Sequence, residues 1–243
     1  MFCHFIVTID YFVDSWEVQT MIDTNLEQYW NDKHPKQRVI YNGRVSPTVC
    51  PTCGSRAITM PIPLDVRNFI KTQDAILQDI IDQNNLKADT NDETMLRIQR
   101  WVVANIKYTP DTDQQGTLEH WQFSFETLFS HRGDCEDGSI LIANLAIVAG
   151  IPSWRVRVTA GMVLPAPTAP EGGHGYVAYL RESDDNFVAI DWCFFQDSDI
   201  LTHNKPILKN RPEYKEIWFS FNDTFSWAHK EYEIVGRLRI NQL

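Results

Sequence analysis

The sequence predicts an α+β fold, and three observations predict it. An apolar run at helical spacing (Ile140, Leu141, Asn144, Leu145, Val148) starts just after Cys135 and stops at Gly150-Ile151-Pro152. Two β-rich stretches, Tyr176-Val177-Ala178-Tyr179-Leu180 and Phe187-Val188-Ala189-Ile190-Asp191, flank the turn signal Ser183-Asp184-Asp185-Asn186. Upstream of both, helical patterns alternate with loop-rich sequence. Helices followed by an antiparallel hairpin are the arrangement of an α+β domain.

Taken in order, Phe2-Cys3-His4-Phe5-Ile6-Val7 reads as a strand. No basic region precedes it and Asp10 interrupts it, so it is not expected to be a signal peptide. Trp16, Met21, Ile22, Leu26, Tyr29 and Trp30 place an amphipathic helix over 15–31, behind Asp14 or Ser15. Residues 35–63 are rich in Pro and Gly and read as loop. Val66, Phe69, Ile70, Leu77, Ile80 and Ile81 predict a helix over 65–83. Thr90-Asn91-Asp92-Glu93 is a capping box opening a helix through Leu96, Trp101, Val102 and Ile106. Arg155 and Arg157 alternate with Val156 and Val158, which predicts a half-buried strand with the arginines on its polar face. A Pro- and Gly-rich loop over 161–173 delivers His174, and β-rich stretches lie near 214–221 and 231–240. The expected organisation is an N-terminal extension, 1–64, and one domain, 65–243.

Composition narrows the function classes. The 243 residues are 43% hydrophobic and 12% aromatic, ample for a sizeable core. The formal net charge of −10 argues against non-specific nucleic-acid or anionic-membrane binding, which needs a basic surface. No run reaches the roughly 18 apolar residues of a membrane span. Five cysteines, an odd number, fit a reducing compartment better than a disulfide framework.

The chemistry concentrates in Gly133-Asp134-Cys135-Glu136-Asp137. Asp134 is a good N-cap, so Cys135 takes the first helical position, where the positive helix end favours a thiolate. His174 stands before the first strand of the hairpin and Asp191 at the end of the second. Antiparallel pairing brings them within about two residues of register. Cys, His and Asp in this placement predict a nucleophile, a base and an orienting carboxylate.

These residues carry a resemblance. Gly133-Asp134-Cys135-Glu136-Asp137, the helix end Ala149-Gly150-Ile151-Pro152, the strand Trp154-Arg155-Val156-Arg157-Val158, Gly173-His174-Gly175-Tyr176-Val177 and Ile190-Asp191-Trp192 resemble the transglutaminase-like superfamily. More narrowly, they resemble bacterial transglutaminase-like cysteine proteinases and small transglutaminase-like proteins of tailed phages. The resemblance runs from about Glu93 to about Asp191 and implies a papain-like α+β domain, with the helix-borne Cys135 packed on an antiparallel sheet. It implies Cys135 as nucleophile, His174 as base and Asp191 as orienter. Trp121-Gln122 followed by Glu126-Thr127-Leu128 also resembles the small phage members, which makes Gln122 a candidate oxyanion-hole donor beside the Cys135 N–H. The alternative for Gln122 is an ordinary polar surface residue. In some proteinases of the superfamily the acids flanking the nucleophile help bind calcium, and Asp134 and Glu136 match them; a solvated helix N-terminus is the simpler expectation. Glu136 replaces the aromatic residue of true transglutaminases, and the chain is too short for their additional β domains.

Cys50-Pro51-Thr52-Cys53-Gly54 is half of a structural zinc knuckle, with Cys3, His4 and His34 as nearby soft ligands. Two free thiols in a loop are the equal alternative, and a redox pair ranks last. Cys193 is expected to be a packed thiol, and His203 and His229 surface residues. The function read from these observations is a thiol acyl hydrolase, a cysteine protease or amidase working through a thioester on protein or peptide. The alternatives are a phage virion or tail component using the fold as a scaffold among other virion proteins, and a protein-crosslinking transglutaminase. The triad needs no cofactor; structural zinc and calcium are the two candidate ions. The expected location is cytoplasmic or virion.

Overall fold

The computed structural model of the protein describes residues 15–42, 63–164, 168 and 170–229, the side chains of 15–22 excepted. The expected strands at 2–7 and 231–240, and the candidate ligands Cys50, Cys53, Cys3 and His4, lie outside the described residues.

Helix α1 (Ser15–Asp32) leads to β1 (Ile40–Tyr41), which pairs antiparallel with β2 (Leu64–Asp65). This part of the extension is built into the domain. Val39 and Tyr41 are buried in the main core, and the Trp227 indole N–H donates to the Asn31 carbonyl at 2.9 Å.

The single helix expected over 65–83 is two pieces: a 3₁₀ turn, Val66–Phe69, and α2 (Ala75–Gln83). Asp74 accepts from the Ile76 N–H at 2.9 Å and caps α2. Buried Asn144 holds the break open, accepting from the Lys71 N–H at 2.5 Å and donating to the Phe69 carbonyl at 3.0 Å. A side chain distant in sequence thus replaces the helical hydrogen bonds that periodicity alone predicts.

Helix α3 (Asn91–Asn105) starts at the expected cap, where Thr90 Oγ1 accepts from the Glu93 N–H at 3.2 Å. β3 (Lys107–Tyr108), the short α4 (Asp111–Gln114) and α5 (Ser124–Ser130) follow. β4 (Arg132–Gly133) pairs parallel with β3 and runs straight into α6 (Cys135–Val148).

The sheet comprises β5 (Val156–Val163), β6 (Gly172–Leu180), β7 (Phe187–Ile190), β8 (Tyr214–Phe221) and β9 (Ser226–Ala228). The strands are antiparallel in the order β7-β6-β5-β8-β9. Helix α6 is buried from Glu136 to Ala146 and packs against Val156, Val158, Val177, Tyr179 and Phe219. Each fully buried side chain of this kind is worth about 1.5–3 kcal/mol relative to exposure, so the sheet-to-α6 layer fixes where α6 begins.

Two expectations are corrected. The loop over 161–173 is shorter, because β5 continues to Val163 and β6 starts at Gly172; His174 therefore lies inside β6. Arg155 belongs to a 3₁₀ turn, Ser153–Arg155, and both arginines are buried. Arg155 pairs with Asp185 at 3.0 Å, and Arg157 lies under the end of α1, donating to the Trp30 carbonyl. No helix among the described residues is long and apolar enough to cross a membrane.

Candidate active site

The chain approaches α6 through a knot of hydrogen bonds around Asp137. Its carboxylate accepts from the Asp134 N–H at 3.1 Å, the Gln122 N–H at 2.7 Å and the Gln122 Nε2 at 2.7 Å. That knot presents Cys135 as the first residue of α6. The neighbouring strand comes close: a Cβ on Gly175 would lie 3.0 Å from Glu136 Cα and 3.1 Å from its backbone N. Glycine lets β6 pass this near the helix N-terminus, where a side chain would push the two apart. On the other side, the Trp192 indole N–H donates to the Cys135 carbonyl at 3.1 Å.

The hairpin brings His174 and Asp191 together. The ladder pairs Val177 with Ile190, so Asp191, just beyond β7, falls two register positions from His174. His174 Nε2 and Asp191 Oδ2 are 2.7 Å apart. Asp191 is fully buried and its other oxygen accepts the N–H groups of Cys193 and Phe194, each at 3.1 Å. The Tyr214 hydroxyl donates to Oδ2 at 2.9 Å, and Gln99 Nε2 to the Asp191 carbonyl at 2.7 Å. Burial alone would raise the Asp191 carboxyl, but the His174 hydrogen bond and charge, with the two N–H donors, hold it below its ordinary value. With Nε2 engaged, Nδ1 is the imidazole nitrogen left for a group in the cleft. Cys135 and His174 line one cleft of about 420 Å³, with Asp134, Glu136, Tyr108 and Trp218 on its walls.

The electrostatics differ from the sequence expectation. The Cys135 thiol is pushed well above its ordinary value, first by burial, then by the charges of Asp134 and Cys193. Hydrogen bonds with Glu136 and the Gly175 backbone oppose the shift without reversing it; Cys135 Sγ donates to Glu136 Oε2 at 3.1 Å. The positive end of α6 is outweighed first by burial and then by the negative charge around it. Nor are Asp134 and Glu136 a solvated helix end. Glu136 is buried and Asp134 half-buried, with Asp111, Glu119 and Asp137 close by. Burial and mutual repulsion raise all five, Asp111 to about 8.

This cluster fits a hard cation. Asp111 Oδ1, Asp134 Oδ1 and Glu136 Oε1 are buried with no hydrogen-bond donor. The ligand oxygens of Asp111, Glu119 and Glu136 lie within 4.8 Å of one another, and so do those of Asp111, Asp134 and Asp137. Bare carboxylate oxygens are calcium's preferred donors.

Of the residues singled out from the sequence, Cys135, His174 and Asp191 converge. Gln122 is buried and tied to Asp137, so its amide buttresses the start of α6 and does not line the cleft. Cys193 is partly buried beside His174 and Asp191. The His34 and His229 rings meet at a tilt with centroids 4.4 Å apart on the far side of the sheet, so His229 is not a lone surface residue. Sequence reasoning missed Tyr214, Asp111, Glu119 and the role of Asp137. Only Asp137, three residues after the N-cap, carried a local signal, that of a capping acid.

Residues 78–192 match the family model of the transglutaminase-like superfamily. That segment, a little under half of the chain, is similar to a transglutaminase-like core. The solved structure of LapG from Legionella pneumophila is similar, at 19% identity over 63% of this chain and 76% of that one, with a TM-score of 0.50. Its calcium-bound form aligns at 20% identity over 67% of this chain and 83% of that one, with a TM-score of 0.49. At these identities the likeness concerns the fold alone, a papain-like transglutaminase-like fold of helices on an antiparallel sheet. No curated protein matches the sequence.

Proposed function

We propose that this transglutaminase-like domain is a thiol acyl hydrolase, a cysteine protease or amidase, with Cys135 as nucleophile, His174 as general base and acid, and Asp191 as the orienting carboxylate. The observation that carries the reading is the 2.7 Å His174–Asp191 contact at the wall of the cleft that also exposes Cys135. Asp191 holds the tautomer that keeps Nδ1 unprotonated for the thiol and stabilises the imidazolium once formed. Because the resting thiol is pushed up, its proton passes to His174 as Sγ attacks the carbonyl carbon. A C–S bond forms, the C–N bond breaks, and His174 returns the proton to the leaving amine. Water then attacks the thioester, giving one proton to His174 and thence to Sγ. The Cys135 backbone N–H at the start of α6 is the candidate oxyanion donor.

Asp134 and Glu136, with Asp111, are the residues that would hold calcium. When bound, the ion supplies positive charge beside the thiol and offsets the repulsion that raises it. Gln122 and Asp137 position the start of α6, which carries Asp134 and Glu136.

The aromatic cleft walls, Tyr108 and Trp218, favour a second reading, because such walls shelter a thioester for an amine acceptor. Hydrolysis ranks first because water needs no binding site of its own. The test is a panel of peptide and amide substrates with and without a labelled primary amine. Product that Cys135→Ala abolishes, without amine incorporation, supports the hydrolase. Efficient incorporation reverses the ranking, and no acyl adduct on Cys135 by mass spectrometry removes both.

A further inference from the structure

The sheet face opposite α6 holds a second cavity, of about 390 Å³. Its walls are apolar and aromatic: Tyr176, Tyr214, Phe187, Leu208 and Ile217. Its charged lining is all basic, comprising Arg157, Lys209, Arg211 and Lys215, and no acid lines it among the described residues. In a chain of net charge −10 this concentration of positive charge calls for a reason.

Arg157 supplies the sharpest clue. It is 2% exposed, its Nε is buried without a hydrogen-bond partner, and no carboxylate pairs with it among the described residues. One donor reaches the Trp30 carbonyl, and the guanidinium lies 3.9 Å from the Trp227 ring centroid. A buried, uncompensated guanidinium is expensive to maintain. Burial lowers Arg157 to about 10, so it remains charged at neutral pH. Arg211 is different, being occupied by Asp197 at 3.1 Å and by Glu213. His229 donates to or accepts from Ser220 Oγ at 3.1 Å at the rim, and burial, His34 and Arg157 hold it down to about 4, so it adds no charge at neutral pH.

We infer that this cavity is a binding site for a small anionic ligand, a carboxylate or phosphate carried on an apolar body. The anion faces Arg157, with Lys209 and Lys215 at the mouth, and the body packs between Tyr176, Tyr214 and Phe187. A planar guanidinium with a spare N–H matches a carboxylate or phosphate oxygen. The site is separate from the thiol cleft but shares a wall with its machinery: the ring of Tyr214 lines the cavity while its hydroxyl holds Asp191.

The test uses the full chain and calorimetric titration with phenyl phosphate, with phenol and inorganic phosphate as controls for the anion and the body. The expected result is saturable binding of one phenyl phosphate per chain, tighter than either control. Arg157→Gln should weaken it at least about tenfold, the loss of one charge-assisted contact. Should that variant fail to fold, Lys209→Glu with Lys215→Glu decides, because both lysines are exposed and their reversal leaves the core intact. No binding of phenyl phosphate, equal binding of phenol, or undiminished binding in the double lysine variant overturns the inference.

Discussion

Tyr214 donates its hydroxyl to Asp191 Oδ2 at 2.9 Å, the same oxygen that lies 2.7 Å from His174 Nε2. The three residues come from β8, the end of β7 and β6, so the carboxylate is gripped by parts of the sheet that are not neighbours in sequence. Burial and the adjacent Asp191 charge push the Tyr214 hydroxyl up, which keeps it a donor at any working pH. Tyr214→Phe preserves the ring among Tyr176 and Phe195 and removes only the donor. The buried carboxylate then loses one donor while keeping His174 and the Cys193 and Phe194 N–H groups, at a cost of about 1.5–3 kcal/mol for a hydrogen bond to a charged group. Its pKa rises, so the acid limb of the kcat/KM profile should move to higher pH, with kcat falling about tenfold. Denaturant unfolding and a pH–rate profile check this; an unmoved acid limb contradicts the role given to Tyr214.

The Cys135 thiol should respond to its acidic neighbours. After burial, Asp134 is the largest influence raising it. Asp134→Asn removes the charge while keeping an equally good N-cap. Loss of a neighbouring negative charge favours the thiolate, so iodoacetamide should alkylate Cys135 faster in the variant at about pH 8. Mass-resolved alkylation kinetics measure it, and an unchanged or slower rate refutes the electrostatic account.

The contrast between Cys135 and its surroundings shows what was legible in the sequence. Its place at the start of α6, the His174–Asp191 hairpin, the Thr90 cap and the strand at 214–221 follow from periodicity, capping and turn chemistry, all encoded within a few residues. The thiol's environment does not. Asp111 reaches it from the start of α4 and Glu119 from the stretch that follows that helix, and Tyr214 reaches Asp191 through the sheet order. The break between Phe69 and α2 depends on Asn144, 75 residues beyond Phe69. Such contacts carry no local signature, so local rules predicted a continuous helix, a solvated acidic mouth and an acidic thiol.

Gly138→Ala sets two effects against each other. In an ordinary helix interior the change gains up to about 1 kcal/mol from backbone entropy. Here a Cβ would fall 2.2 Å from Trp192 Cε2, so the indole must move. Overpacking of this kind costs about 1–3 kcal/mol, and displacing the ring also breaks its hydrogen bond to the Cys135 carbonyl. Steric cost wins, and the variant should be less stable by about 1–3 kcal/mol with reduced activity. A denaturation midpoint equal to or above that of the parent would show that Trp192 does not press on α6.

The acid cluster sets the pH dependence of stability. Asp111 is raised from 3.8 to about 8 by burial and by Asp134, with Glu119 adding to the shift against the His120 N–H that opposes it. A carboxyl whose folded pKa is raised binds its proton more tightly in the folded chain. Its contribution is therefore present below the unfolded value and is lost as pH rises through about 8. Glu119, Asp134, Glu136 and Asp137 shift in the same direction. Asp191 works oppositely: its lowered carboxyl contributes above the unfolded value and is lost as pH falls through the folded one. Together these place maximal stability in the mildly acidic range, with Tm falling toward pH 8. A bound divalent cation replaces protons as the cluster's compensation, so calcium should raise Tm more at about pH 8 than at about pH 5, where protons compete. Thermal unfolding at both pH values, with calcium or with chelator, measures this. Asp134→Asn combined with Glu136→Gln should flatten both dependences. A Tm indifferent to pH contradicts the raised carboxyls, and a Tm at pH 8 indifferent to calcium contradicts the cation site.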